Sequence, residues 1–195
     1  MDNIVKKASE YVTGLLTNKL PSECTYHNLA HTLRVVEAVE EIGKNSGLSD
    51  VQLEILLLSA WFHDTGFVKA VKGHEVKSIE IANDFLKANA YPAEKTDIIN
   101  KIINVTEIGR KPVDTLEMII RDADILHIGK EGFFEKSFSL KHEWEMAGIK
   151  KYTETEWIKS GIDFLSRTEF YTRYAKTKYE EGRQKNISHL KKMLQ

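Results

Sequence analysis

The 195-residue chain carries 28 Lys and Arg against 29 Asp and Glu, a formal charge of -1. A chain of that length buries a core without staples, and the single cysteine, Cys24, has no partner within it, which points to a reducing compartment. The balanced charge gives no electrostatic reason to expect nucleic acid. With no apolar run before a cleavage-like site and none as long as a membrane span, the expectation is a soluble, cytoplasmic protein, monomer or homodimer.

Three prolines and few glycines interrupt the chain, and its apolar residues recur at three or four positions instead of two. This predicts an all-α fold of one domain spanning residues 1–195. The stretch YHNLAHTLRVV, residues 26–36, sets His27 and His31 four apart, on one face of a helix. Over residues 28–44, Arg34, Glu37, Glu41 and Lys44 form a polar stripe, and His31 falls in line with inward-facing Val35 and Ala38.

The helix over residues 50–63 begins at a capping box, Ser49 with Gln52, and its run ILLLSAWF is apolar on all sides, as in a central buried helix. It ends at His63 and Asp64, followed by Thr65 and by Gly66, expected to close the helix in the left-handed conformation. Trp61, Phe62 and Phe67 flank this doublet and are expected to pack the core. Amphipathic helices follow over residues 74–89 and 94–106. Capping boxes at Asp114 with Glu117 and at Thr153 with Glu156 start two more, separated by a looser region over 129–150. The lysine-rich end reads as a solvated helix.

A buried, unpaired carboxylate at position 64 costs several kcal/mol, and a divalent metal shared with imidazoles offsets that cost. In RDADILHI, Asp124 lies in line with Ile120 and Ile128, and Asp122 with Met118 and Leu126; aspartate is a poor helix-interior residue, so each needs a partner. Pairing with Arg121 is the plain alternative to a metal.

His31, the His63-Asp64 doublet and Asp124, in that order, resemble the HD superfamily of metal-dependent phosphohydrolases. The pieces that carry the resemblance are YHNLAH, AWFHDTGF, HEVKSIEIA and RDADILHIG. They span residues 26–129, and the flanking helices resemble a compact bacterial subgroup of predicted phosphohydrolases. The resemblance implies a helical HD-domain fold with His31, His63, Asp64 and Asp124 as metal ligands; Asp124 is chosen because the final aspartate of the family follows an alanine. HNLAH also resembles the HNxxH element of cyclic-nucleotide phosphodiesterases, whose first histidine protonates the leaving oxygen, a role carried to His27. The downstream TGFV lacks the further histidine expected there.

Mixed imidazole and carboxylate ligands suit manganese, iron(II), cobalt, nickel or zinc, with magnesium as a further option. One ion is expected; a second, on Asp64 and His74, is left open, because Thr106 and Glu107 stand where another histidine is expected. Asp122 and His127 are candidates for that ion or for supporting the ligands. Such an ion activates water and polarises a phosphoryl oxygen, with Asp64 and His27 the catalytic pair. Lys69, Lys72, Arg110 and Lys111 are candidate phosphate contacts, and the tail with Arg167, Tyr171 and Arg173 a candidate cover for the pocket. The resulting expectation is a hydrolase of a small phosphorylated, nucleotide-like molecule. The alternatives are a cyclic-nucleotide phosphodiesterase, a silent metal and nucleotide sensor, and a helical interaction protein.

Overall fold

A computed structural model describes residues 2–195, with side chains from residue 4 onward. Among them the chain forms nine α-helices and no strand: α1 Asp2–Lys19, α2 Leu29–Lys44, α3 Asp50–Phe62, α4 His74–Ala88, α5 Ala93–Asn104, α6 Thr115–Ile125, α7 Phe133–Met146, α8 Glu154–Arg167 and α9 Arg173–Lys192. Two 3-10 turns, Thr65–Val68 and Leu126–Gly129, follow α3 and α6 directly. Among the described residues no helix is long and apolar enough to cross a membrane.

The innermost element is α3. Every residue from Ile55 to Phe62 is buried, because α1, α2, α4, α5 and α6 all pack around it. Ser49 and Gln52 close the expected box at its start. Thr153 and Glu156 do the same for α8. At α6 the arrangement is looser: Asp114 accepts the Glu117 N–H, but the Glu117 carboxylate takes the N–H of Val113 instead of the cap residue's own.

Three expectations are corrected. Residues 129–150 hold a regular helix, α7, whose sequence concealed it because Phe133 and Glu143 are its only buried residues, too few for a visible apolar stripe. Gly66 is not left-handed. Its role is close approach: a Cβ there would overlap the His74 carbonyl oxygen, and its N–H donates to Ser78 Oγ at 2.8 Å, so α4 seats directly on the first 3-10 turn. Nor do the tail's contacts run to the His-Asp doublet. Tyr174, Tyr179 and Lys178 bond Glu41 on α2, Arg167 pairs with Asp163, and α9 packs on the second 3-10 turn.

Candidate metal centre

Three helices and the residue that follows α3 deliver the ligand atoms to one point. Asn28 caps α2 by accepting the His31 N–H at 3.2 Å, which sets His31 in the first turn of the helix. His63 terminates α3, and its Nδ1 donates to the Ala60 carbonyl at 2.8 Å, leaving Nε2 with a free lone pair. Asp64 follows at once. Asp124 comes from the last turn of α6.

His31 Nε2 lies 3.2 Å from His63 Nε2, 3.2 Å from Asp64 Oδ2 and 3.2 Å from Asp124 Oδ1. His63 Nε2 is 3.1 Å from Asp64 Oδ2 and 3.9 Å from Asp124 Oδ1. His31, His63 and Asp64 are buried and Asp124 is half-buried. Asp64 Oδ2 has no hydrogen-bond partner although it is shielded from water. An orphaned buried carboxylate oxygen among two imidazole nitrogens and a second carboxylate suits a divalent metal, and His31, His63 and Asp124 offer ligand atoms close enough to share one.

The electrostatics follow from this crowding. Burial alone would lower the His31 imidazole, yet the close carboxylates of Asp124 and Asp64 carry it up to about 9. Burial opposes ionisation of Asp64 as well, but the neighbouring imidazoles, His63 first and then His31 and His74, hold its carboxyl well below the usual range. Protons here stand in for the positive charge the carboxylates require.

The other oxygen of Asp64 faces outward from this group. His74 Nε2 is 3.5 Å from Asp64 Oδ1 and 3.5 Å from Glu75 Oε1, while its Nδ1 donates to the Val71 carbonyl at 3.0 Å. Asp64 thus joins two clusters, and the second includes Glu75, which the sequence reading did not single out although it adjoins His74.

His27 stands apart from the ligand atoms. Its Nδ1 bonds the Glu143 carboxylate, whose other oxygen accepts the N–H of Tyr26 at 2.8 Å and of His27 at 2.9 Å. The ring stacks on Phe67 with centroids 4.2 Å apart. With Nδ1 engaged and the ring clamped, Nε2 is the nitrogen free to exchange a proton. Burial would raise the Glu143 carboxyl, but the bond and charge of His27, with the two backbone donors, bring it below the usual value. Glu143 escaped the sequence reading because it lies 116 residues from His27, inside α7.

His127 supports the centre at one remove: the Tyr26 hydroxyl lies 3.3 Å from its Nε2, and the Tyr26 ring lies 5.1 Å from that of His31. Asp122 belongs elsewhere, which corrects its place among the metal candidates. Two residues are about 200° of helix turn, so Asp122 faces the tail and accepts the N–H of Tyr171, the N–H of Thr172 and the Thr172 hydroxyl, each at 2.7 Å. Arg121 pairs with neither aspartate; it donates to the Thr106 carbonyl at 2.8 Å and so closes the end of α5.

Two of the four proposed phosphate contacts pair with carboxylates. Lys69 lies 3.6 Å from Glu80, and Arg110 pairs with Glu107 at 2.5 Å. Arg110 and Lys111 line a surface hollow with Lys101, Val113 and Glu117 that includes none of the ligands. Lys72 is simply exposed.

Comparison with known proteins agrees with this architecture. A structural-genomics crystal structure from Lactobacillus plantarum superposes with a TM-score of 0.75, covering 99% of this chain and 96% of that one at 15% identity, a likeness of fold alone. No curated protein matches the chain. The family model described as HD domain matches residues 28–129, a span that holds His31, His63, Asp64 and Asp124. Members of that family are generally metal-dependent hydrolases, and this chain belongs to the HD domain family.

Proposed function

We propose that the protein is a phosphohydrolase that uses one divalent transition metal, manganese foremost, to cleave a phosphomonoester or phosphodiester of a small, nucleotide-like molecule. The observation that carries this reading is the unpartnered Asp64 Oδ2, buried within 3.2 Å of His31 Nε2 and His63 Nε2. His31, His63, Asp64 and Asp124 would hold the ion, which would supply an activated water and polarise a phosphoryl oxygen.

The protein's own part is positioning and proton traffic. The Ala60 carbonyl fixes the His63 tautomer, and the Asn28 cap fixes His31. Glu143 holds His27 by its Nδ1, so that Nε2 delivers a proton to the departing oxygen. Glu143 acts through His27 and is a positioning residue. The His74, Glu75 and Asp64 Oδ1 group supports a second, weaker ion.

The test is product formation from nucleoside monophosphates, triphosphates, cyclic nucleotides and a generic phosphodiester with added manganese, run beside Asp64→Asn. Turnover of one member that vanishes in the variant is the expected result. Manganese bound by wild type and lost in the variant, with no turnover of any member, would replace the enzyme by a metal-loaded sensor.

A further inference from the structure

The imidazoles of His27, His31, His63 and His74 crowd together at the end of α3. The His31 and His63 rings, which converge on the first ligand group, have centroids 5.3 Å apart. His27 keeps nearly the same spacing from two other rings, 5.8 Å from His31 and 6.2 Å from His74. Distance alone therefore does not exclude His27 from ligation. Its hydrogen bonding does not exclude it either: Nδ1 is held by the buried Glu143 carboxylate and Nε2 is left available, which is the support a metal-ligating imidazole usually has.

What stands in the way is Phe67. Its ring lies on that of His27 with centroids 4.2 Å apart and planes 11° from parallel, and against that of His74 at 4.0 Å and 32°. The three centroids form a triangle whose longest side joins the two imidazoles, so the phenyl ring wedges them apart. It is firmly seated: Phe67 is 3% exposed, its N–H donates to the Asp64 carbonyl at 3.1 Å, and Gly66 before it abuts the His74 carbonyl with no room for a Cβ. A phenyl ring has no lone pair to offer a cation, so it fills this space without ligating. Beside it, His74 Nε2 lies 3.5 Å from Asp64 Oδ1 and 3.5 Å from Glu75 Oε1. Adding His27 Nε2 would complete two nitrogens and two carboxylates, the same donor types as His31, His63, Asp64 and Asp124.

We propose that Phe67 sets how many ions this centre holds tightly: by filling the space between His27 and His74 it keeps His27 out of the second ligand cluster, which leaves that ion weak and His27 free to carry a proton. This rests on the metal-centre reading. Phe67 acts through His27 and is a positioning residue.

The probe is manganese alone, titrated calorimetrically into metal-free wild type, Phe67→Leu, Phe67→Val, Phe67→Ala and the double variant Phe67→Ala with His27→Ala, with bound ions counted by atomic emission. Wild type is expected to take one ion, with a second at least about tenfold weaker. Phe67→Val and Phe67→Ala should tighten the second ion by about tenfold or more, whereas Phe67→Leu, which conserves most of the volume, should stay near wild type. Adding His27→Ala should return the second ion to its wild-type strength. A gain of affinity separates the wedge from a packing role, since lost packing by itself loosens a site and lowers the thermal midpoint. Phe67→Val carries the test should Phe67→Ala fold poorly. A second ion unchanged in the truncated variants, or tightened but indifferent to His27→Ala, overturns the wedge while the first ion stands. No ion bound by wild type or any variant is the failure of the metal-centre reading, and the wedge falls with it.

Discussion

Glu143 and His27 are 116 residues apart, yet the Glu143 carboxylate holds both the backbone N–H and the ring Nδ1 of His27. Helix α7 therefore reaches the proposed general acid even though it lies beyond the matched HD segment, residues 28–129. General acid catalysis is worth about 10²- to 10⁴-fold. Glu143→Gln should lower kcat about 10²-fold, shift the acid limb of the pH-rate profile and leave manganese content unchanged. His27→Ala should cost at least as much, and the double variant little more than His27→Ala alone, since Glu143 acts through the imidazole. Additive losses in the double variant would separate the two residues.

Removal of the ligands should act differently. Asp64→Asn or His63→Ala takes away a proposed metal contact, and stabilisation of several kcal/mol corresponds to roughly 10³-fold in rate. Metal content by atomic emission and turnover should fall together, and chelation of wild type should reproduce the loss reversibly.

The two aspartates of RDADILHI make opposite predictions. Asp122 receives three hydrogen bonds from Tyr171 and Thr172, and Asp122→Ala strands two backbone donors at the start of α9. Stranding buried donors costs about 1–3 kcal/mol each, so the thermal midpoint should drop while manganese stoichiometry persists. Asp124→Ala should lose manganese with a smaller change in stability of the metal-free protein. Equal metal loss in both variants would contradict the separation of the two faces of α6.

Gly66 tests the seating of α4. Because a Cβ at this position meets the His74 carbonyl, Gly66→Ala should destabilise the fold by about 1–3 kcal/mol through overpacking. It should also weaken any second ion at His74 before it affects the first. Differential scanning calorimetry and a manganese titration read the two effects separately.

Glu41 sets an acid limit on stability. Burial would raise its carboxyl, but bonds from Tyr179, Lys178 and Tyr174 lower it below 4.5. A carboxyl that is more acidic when folded contributes stability above its unfolded value and loses it as the pH falls through the folded one. The difference in stability between wild type and Glu41→Gln should be full above about pH 5 and should shrink below about pH 4.5. A difference that grows on acidification would reverse the sign.

The sequence alone determined the helical class, the innermost α3 and the inward face of His31, because periodicity and caps are local properties that α2, α3 and α8 express within a few residues. It also determined the order of the imidazole and carboxylate residues that the HD match contains. Tertiary structure alone decided which groups meet. The choice between Asp122 and Asp124 depends on what lies against each face of α6, and the helix of α7 depends on packing that its weakly amphipathic sequence does not announce. Gly66 as a contact point and Glu143 as the partner of His27 are set by elements far away in the chain. Local pattern fixes which way a side chain faces along its own helix, whereas the neighbour it finds there is fixed by how the helices assemble.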